Sequence, residues 1–297
     1  MRRFHNACFS LDFFYGLPVL SQKLSGRLKK ILACPVCHGA LEENGNQIAC
    51  REGNHVFTLK NGVPAFLPEP VEFASIDHSS NPLGPEFEAL LQEGEDFVLN
   101  IGAGGTAVRY PNCVEFEHKI FRHTDVVGDA HHLPFRDNVF DRVFAFNVFE
   151  HLTNPKKAAE EILRVLKPGG AVAVHTAFLQ ALHEEPFHFF NATEFGVREW
   201  FANYEIEACH VSANFGPGVM LAFLLSTVVE AARRADATWR EQTLLSESTI
   251  GEWAEFWKTR GEQPPGFSTL QHLPEDIQKR IAAGFELLAR KPAAPKE

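Results

Sequence analysis

The stretch Asp96-Phe-Val-Leu-Asn-Ile-Gly-Ala-Gly-Gly105 decides the fold of this 297-residue chain. Its first half, from Phe97 to Ile101, is apolar except for Asn100, and this predicts a buried strand. The glycines that follow allow the backbone to approach a ligand closely at the carboxyl end of that strand. Alone the pattern is weak, because many nucleotide-binding folds share it.

Strands and helices alternate downstream of this stretch. Further strands are predicted at residues 114–117, 125–128, 140–148 and 171–175. A helix is predicted to begin at Pro155, with Asn154 as its N-cap. Such alternation predicts an α/β fold, a Rossmann-like doubly wound sheet covered by helices. Only about a dozen residues join the first two strands, so we expect the first helices to be vestigial.

Acidic residues follow the next two strands. Glu117 ends the second strand, where a carboxylate can accept hydrogen bonds from both hydroxyls of a ribose. Asp129 follows the third strand, where it can accept a hydrogen bond from an adenine amine. A solvated strand end for Glu117 and a turn-forming role for Asp129 are the alternatives.

Five short motifs occur in a fixed order around these acids: Gly128-Asp-Ala130, Leu133-Pro-Phe135, Phe140-Asp141, Glu150-His151 and Leu166-Lys-Pro-Gly-Gly170. The series resembles the class I methyltransferases that depend on S-adenosylmethionine (SAM). The resemblance covers roughly residues 96–205 and implies the fold of that class. Glu150-His151 is expected to orient the following loop rather than to do chemistry.

The resemblance also implies positions for SAM. It places Gly102 and Gly104 beside the methionine part, Glu117 at the ribose, Asp129 with Ala130 at the adenine, and Asn147 on the methyl-donor side. One departure concerns Asn100, which stands where the family usually has Asp. An amide can hydrogen-bond to the cofactor's ammonium group but cannot attract it as a full charge would.

Two histidines follow the fifth predicted strand. The segment His183-Glu-Glu-Pro-Phe-His188 resembles a His…Pro…His loop that family members carry before a helix led by Thr, here Thr193. We predict His183 and His188 to be the catalytic, substrate-side residues, one of them as a base. The alternative is that they pack or cap the loop.

Three of the six cysteines lie close together near the N-terminus. Cys34-Pro-Val-Cys37 places two thiolates on one tight turn, and Cys50 ends a strand-like segment. A tetrahedral zinc site needs four ligands, and three cysteines with one histidine form an accepted structural set. We predict structural zinc, with free thiols in a small β unit as the alternative.

The fourth zinc ligand is less obvious. The expected position, three residues after Cys50, is Gly53, which cannot bind a metal. His55 is the best fourth ligand, since His38 directly follows a cysteine ligand and is geometrically awkward. Residues 31–68 resemble the zinc ribbon of the small activator subunit of tRNA and protein methyltransferases. They also resemble the ribbon at the start of a bacterial ribosomal RNA guanine methyltransferase.

These features predict five segments along the chain. They are an N-terminal extension (1–30), a zinc ribbon (31–68), a linker (69–95), a SAM-binding domain (96–212) and a helical C-terminal region (213–297). The phenylalanines of the last segment are expected in the core. If they were exposed, they would indicate a dimer face or a membrane contact.

The totals restrict the class of protein. The chain has 28 basic and 38 acidic residues, a net charge of −10, which argues against a main role in gripping phosphates. The clustered cysteines suit a metal site in a reducing compartment. The longest apolar run, Val219 to Val229, is too short to cross a bilayer. We therefore expect a soluble, cytoplasmic protein.

Three functions remain open on sequence grounds. The first is methyl transfer from SAM to a small molecule or a glycan-linked acceptor. The second is an RNA methyltransferase that docks RNA with its ribbon, although the ribbon mixes Arg51 and Lys60 with three glutamates. The third is a non-catalytic methyltransferase-like protein, suggested by Asn100 and the short links between strands. A homodimer, or a protein partner bound through the ribbon, is compatible with each.

Overall fold

The computed structural model describes residues 25–68, 70–74, 83–212, 215–235, 237–281 and 283. The predicted N-terminal extension up to residue 24, residues 69 and 75–82 of the predicted linker, and the tail residues Phe285 and Leu288 lie outside these ranges.

Within the described ranges, nine strands form one sheet. They are β1 (Leu41–Asn44), β2 (Gln47–Cys50), β3 (Val56–Lys60), β4 (Val63–Ala65), β5 (Val98–Ile101), β6 (Cys113–Glu117), β7 (Val126–Val127), β8 (Phe140–Phe146) and β9 (Leu166–His175). Their spatial order is β1-β2-β3-β4-β7-β6-β5-β8-β9.

Nine α-helices accompany the strands in the same ranges: α1 (Gly26–Ile31), α2 (Pro85–Glu93), α3 (Pro155–Val165), α4 (Glu194–Trp200), α5 (Pro217–Arg234), α6 (Trp239–Glu247), α7 (Ile250–Thr259), α8 (Phe267–Gln271) and α9 (Glu275–Ile281). A 3₁₀ helix spans Phe149–His151.

The structure divides into two compact units. The ribbon–sheet unit comprises the described residues up to Ala145 together with Glu161–Ala173. The helical unit comprises Phe146–Glu160 together with the described residues from Val174 onward.

The second half of the sheet has the arrangement predicted from the sequence. Strand β5 pairs in parallel with β6 and β8, and β6 pairs in parallel with β7. In the spatial order β7-β6-β5-β8-β9, strands β6 and β7 are added on one side of β5 and strands β8 and β9 on the other. A doubly wound sheet has this order and binds ligands at its carboxyl edge. Every residue of β5 and β6 is buried. The Rossmann-like class I methyltransferase fold is confirmed.

The links between the parallel strands are short, as expected. Residues 102–112, 118–125 and 128–139 are all described, and none of them contains a helix. Aromatic packing supports this part of the sheet. The Phe135 ring lies edge-on to Phe116 and Phe140, at centroid distances of 6.0 and 5.1 Å, and all three are buried.

Strands β1–β4 of the ribbon form an antiparallel meander. Asn61 and Gly62, both with positive φ (53° and 82°), make the two-residue turn between β3 and β4. Ala65 of β4 then pairs in parallel with Val127 of β7, so the ribbon continues the main sheet. A shared core accompanies the pairing: Val63, Ala65, Val71, Ile120 and Val127. The boundary between ribbon and methyltransferase domain stays a prediction.

The helical unit contains less core than the sequence suggested. Ala231, Leu273 and Ile277 form a small buried cluster. Phe223, expected in the core, is 39% exposed, and other apolar residues of α5 such as Val219 and Leu225 are about half exposed. Among the described residues, no helix is long and apolar enough to span a membrane.

Candidate functional site

The glycine loop after β5 is hydrogen-bonded to Glu117. Gly102 and Gly104 adopt positive φ (69° and 65°), a conformation that favours glycine. The Gly102 N–H donates to the Phe116 carbonyl at 2.9 Å. The Gly104 N–H donates to Glu117 Oε1 at 2.6 Å. The predicted loop and the predicted ribose ligand are therefore brought together at the carboxyl edge of the sheet.

Glu117 is also engaged on its other oxygen. The backbone N–H of His118 donates to Oε2 at 3.0 Å, and the His118 ring nitrogen Nδ1 lies 3.1 Å from the same atom. Glu117 is buried, whereas the His118 side chain is exposed. A carboxylate offers about four acceptor positions, so a ligand hydroxyl can use the fourth or displace the exposed imidazole.

Asp129 lies after β7, on a turn with His131. Its Oδ1 accepts a hydrogen bond from the His131 N–H at 2.9 Å and lies 2.5 Å from the ring nitrogen Nδ1. Burial alone would raise the pKa of Asp129, but these His131 contacts outweigh burial and lower it. Asp129 is thus an ionised, half-exposed acceptor. Ala130, the residue after Asp129, is buried, and so is Asn100 near the end of β5.

Gly128 has a packing role. A Cβ at this position would lie 2.9 Å from the buried ring of Phe116. The glycine of the Gly-Asp-Ala motif is therefore required by the core beneath the site.

Two other family motifs meet each other at the opposite edge of the sheet. Asp141, at the start of β8, accepts a hydrogen bond from the Phe97 N–H at 2.9 Å. It also forms an ion pair with Lys167 at 2.8 Å. A Cβ at Gly170 would lie 3.0 Å from the Asp141 carbonyl. The Phe-Asp and Leu-Lys-Pro-Gly-Gly motifs are thus structural, because they join the amino ends of β8 and β9.

The Leu133-Pro-Phe135 motif is held by a buried ion pair. The Arg164 guanidinium donates to the carbonyls of Leu133 (2.9 Å) and Phe135 (2.7 Å) and to Glu161 (2.8 Å). Glu161 in turn accepts from the Leu133 N–H at 2.9 Å. This segment begins three residues after Ala130, so the ion pair fixes the backbone close to the predicted adenine position.

The four predicted zinc ligands converge in the ribbon. Ligand atoms of Cys34, Cys37, Cys50 and His55 all lie within 4.8 Å of one another. Cys34 Sγ is 3.3 Å from His55 Nδ1, and Cys37 Sγ is 3.4 Å from Cys50 Sγ. These separations are close to the edges of about 3.5–3.8 Å of a tetrahedron around zinc. The donor set and its spacing therefore fit a structural zinc ion.

The glycine at position 53 makes room for the predicted fourth ligand, His55. A Cβ at Gly53 would lie 2.7 Å from His55 Cε1 and 2.8 Å from Nδ1. The imidazole therefore occupies the space that a side chain at position 53 would need. His38 adopts positive φ (58°) at the turn after Cys37 and is not part of the cluster.

The segment after β8 belongs to the helical unit. Asn147 lies in the left-handed region (φ 56°), and its N–H donates to the His175 carbonyl at 2.9 Å. The Glu150 carbonyl accepts from the N–H groups of Phe189 (2.8 Å) and Phe190 (3.2 Å). The Glu150 backbone thus holds the loop after β9.

The two predicted substrate-side histidines lie together in that loop. The ring centroids of His183 and His188 are 4.3 Å apart, and His151 lies 5.0 Å from His183. His188 has both nitrogens engaged: Nδ1 accepts from the His183 N–H at 3.3 Å, and Nε2 lies 3.1 Å from the Phe190 carbonyl. Burial and the neighbouring His183 lower the pKa of His188. Their catalytic role stays a prediction.

One polar cluster was missed at the sequence level. Glu115 is buried in β6 and receives a hydrogen bond from Thr106 at 2.7 Å, while its Oε2 has no partner among the described residues. Burial raises its pKa to about 7, against the lowering effect of Thr106. Asp125 and Arg109 form an ion pair beside it. Strand alternation was the available signal, because Glu115 shares a face with Glu117.

Two family models match the chain. Residues 107–174 match a model described as a methyltransferase domain, and residues 27–62 match one described as Trm112p-like protein. The chain carries a methyltransferase domain. The Trm112p-like segment precedes it and contains the four clustered metal-ligand residues. The methyltransferase match begins just after the glycine loop, and it includes Glu117 and Asp129.

Curated relatives match over short stretches. A demethylmenaquinone methyltransferase of Renibacterium salmoninarum is 49% identical over 49 residues, 16% of this chain and 21% of that protein. A malonyl-[acyl-carrier protein] O-methyltransferase of Geobacter sulfurreducens is 35% identical over 97 residues, 26% of this chain and 36% of that protein. The chain thus covers about a fifth to a third of these relatives.

Solved structures match more distantly. A complex between the Haloferax volcanii Trm112 methyltransferase activator and a methyltransferase matches with 20% identity and a TM-score of 0.30. The match covers 40% of this chain and 69% of that one. A Bacillus halodurans methyltransferase matches with 21% identity and a TM-score of 0.32, over 40% and 68% of the respective chains.

Proposed function

We propose that the protein transfers a methyl group from SAM to a small-molecule or glycan-linked acceptor. The observation that carries the proposal is the contact between the Gly104 N–H and Glu117 Oε1 at the carboxyl edge of the sheet. It joins a glycine loop and a ribose-type acceptor, while the ionised Asp129 follows on the next strand. The methyltransferase family match and the small-molecule acceptors named for the relatives support it.

SAM supplies a methyl group that its sulfonium already activates, so the chain mainly has to bind and orient. Glu117 would accept the ribose hydroxyls and Asp129 the adenine amine. Gly102 and Gly104 would let the backbone approach the methionine part, with Asn100 hydrogen-bonding to its ammonium group. Asn147 follows the end of β8 and would face the methyl-donor side.

His183 and His188 are the proposed substrate-side residues. A base is needed only where the acceptor loses a proton during attack. Of the two rings, His183 retains a nitrogen with no hydrogen-bond partner among the described residues, because only its Nδ1 contacts a carbonyl, that of Ala181. His188 positions the His183 backbone through its own Nδ1.

The ribbon would hold zinc structurally. Four protein ligands would occupy all four positions of a tetrahedral zinc ion, which leaves no open position for chemistry. The pairing of Ala65 with Val127 places β4 beside β7, the strand that precedes Asp129. We propose that the metal-bound ribbon stabilises this strand and, with it, the adenine side of the site. A protein partner bound through the ribbon is compatible with this role.

Calorimetric titration of the zinc-loaded full chain with SAM and with its demethylated product tests the proposal. We expect saturable binding that is lost in Glu117→Ala and Asp129→Ala. Glu160→Ala is the matched control, because it removes an exposed carboxylate from α3. Binding that survives both site substitutions would contradict the assigned residues.

A non-catalytic methyltransferase-like protein is the second candidate. Two observations favour it: the links between β5 and β8 contain no helix, and the family match begins after the glycine loop. Glu117 is also already bound by Gly104 and His118. Failure of well-folded, metal-loaded protein to bind SAM would select this candidate. An RNA methyltransferase would instead require retention on heparin at moderate salt, which the net charge of −10 disfavours.

A further inference from the structure

Three potential metal ligands converge in the helical unit. Glu150 and His151 are neighbours in the 3₁₀ helix, and His183 lies in the loop after β9. One ligand atom from each residue lies within 4.8 Å of the ligand atoms of the other two. These residues are distinct from the four ligands of the ribbon.

The Glu150 carboxylate lacks a partner on one side. Its side chain is fully buried, and Oε2 accepts a hydrogen bond from Thr176 Oγ1 at 2.9 Å. Oε1 is buried and has no hydrogen-bond partner among the described residues. A buried carboxylate oxygen is costly unless a donor, a proton or a cation satisfies it. A cation bound at this position would satisfy Oε1.

The two imidazoles are oriented like metal ligands. Nδ1 of His151 lies 2.8 Å from the Phe187 carbonyl, and Nδ1 of His183 lies 3.1 Å from the Ala181 carbonyl. A carbonyl only accepts, so each Nδ1 carries the proton and each Nε2 presents a lone pair. Metal-binding histidines are typically held in this way, with the second nitrogen on a backbone carbonyl or carboxylate.

His188 differs from its two neighbours. Its Nδ1 accepts from the His183 N–H, which places its proton on Nε2, and Nε2 contacts the Phe190 carbonyl. The ring has no lone pair left for a metal. It holds the loop that carries His183.

We propose that Glu150 Oε1 and the Nε2 atoms of His151 and His183 bind one divalent first-row transition-metal ion. Two imidazoles and one carboxylate suit zinc, iron, cobalt or nickel better than calcium or magnesium. Ligand atoms around such an ion lie about 3.3 Å apart, so small shifts that keep the Nδ1–carbonyl contacts would bring ligand atoms that already lie within 4.8 Å of one another onto the ion. Three protein ligands leave a coordination position open.

In this arrangement His183 is a ligand and not a base. The bound ion would instead polarise an acceptor at the open position. Metal binding at this site requires neither SAM nor methyl transfer. The proposal can therefore be tested separately from the proposed function.

The test uses the full chain with zinc retained in the ribbon. A mild chelator removes weakly held ions, and Co²⁺ is then titrated while the absorption spectrum is recorded. We expect one equivalent of Co²⁺ with weak visible bands and no thiolate-to-cobalt charge transfer, because the ligands are nitrogen and oxygen. Uptake with charge-transfer bands would place the cobalt in the ribbon, and no uptake would show an empty site; either result would overturn the proposal.

Variants identify the ligands. His151→Ala and His183→Ala should each weaken Co²⁺ binding by about 100-fold or more, since loss of supporting partners alone costs 10–100-fold. Glu150→Gln keeps the side-chain volume and the Thr176 contact but loses the charge, so it should weaken binding similarly while circular dichroism remains unchanged. His210→Ala removes an exposed histidine of the same unit and should bind like the wild type. Wild-type affinity in His183→Ala would refute the site.

Discussion

The Gly104 N–H and Glu117 Oε1 are 2.6 Å apart, which ties the turn after β5 to the last residue of β6. The hydrogen bond joins a glycine with positive φ to a buried carboxylate within the protein itself. The same carboxylate is the proposed ribose acceptor. Ligand binding and loop order are therefore coupled through one side chain.

This coupling separates two substitutions of Glu117. Glu117→Ala should lower the free energy of unfolding by about 1–2 kcal/mol, because the buried Gly104 N–H loses its acceptor. Glu117→Gln can keep that acceptor through its amide oxygen and should change stability by less than about 1 kcal/mol. Both variants should bind SAM at least tenfold more weakly. Urea denaturation and calorimetry measure the two effects, and equal stability of the variants would contradict the coupling.

Gly53 leaves the space that His55, the proposed fourth zinc ligand, occupies. Gly53→Ala should push the His55 imidazole away, because the new Cβ would lie 2.7 Å from the ring. Backbone strain plays no part, since Gly53 is not among the positions with positive φ. We expect zinc to be lost to a competing chelator at a concentration at least tenfold lower than for the wild type.

Gly26→Ala is the control for this prediction, because a Cβ at Gly26 meets nothing within 4 Å. Equal zinc retention in Gly53→Ala and Gly26→Ala would show that His55 does not need this space. The measurement is zinc content after dialysis against graded chelator.

Glu115 should give the ribbon–sheet unit a pH-dependent stability. Burial raises its pKa from 4.5 to about 7 in the folded chain. The folded state then holds the proton more tightly than the unfolded state, so protonation of Glu115 stabilises the fold. This stabilisation is complete below about pH 4.5 and is lost as the pH rises through about 7. Glu115→Gln should remove this pH dependence. Its free energy of unfolding, relative to that of the wild type, should therefore rise by ~2 kcal/mol between pH 5.5 and pH 7.5.

Thermal unfolding of both proteins across this pH range tests the prediction. Glu160→Gln, an exposed carboxylate change on α3, should follow the wild-type curve. Parallel curves for Glu115→Gln and the wild type would mean that Glu115 is already ionised in the folded protein at pH 5.5.

Arg164 should be among the most important side chains for stability in the ribbon–sheet unit. Arg164→Ala leaves the buried Glu161 and the carbonyls of Leu133 and Phe135 without their charged donor. Breaking a buried ion pair from one side costs about 3–5 kcal/mol. Lys156→Ala removes an exposed pair with Glu199 and should cost less than about 1 kcal/mol. Similar unfolding midpoints for the two variants would contradict this assignment.

Much of the fold followed from local patterns. The buried strand before the glycine loop, the alternation after it and the short links were predictable, because strand burial and turn chemistry depend on neighbouring residues. The clustering of the proposed zinc ligands was predictable for the same reason, since Cys34 and Cys37 share one turn and Cys50 and His55 flank another. Gly53, which cannot bind a metal, and the awkward position of His38 beside Cys37 together pointed to His55.

Contacts between distant segments required the tertiary structure. The register that pairs Ala65 with Val127 makes the ribbon part of the main sheet, and no local pattern specifies a partner for a three-residue strand. Glu150 and His183 meet only because the chain returns after β9, and Glu115 became notable only through its burial. The sequence predicted most of the side chains that are proposed for the cofactor and zinc sites. Strand register and loop packing decided which of them meet, because these depend on contacts between residues far apart in the chain.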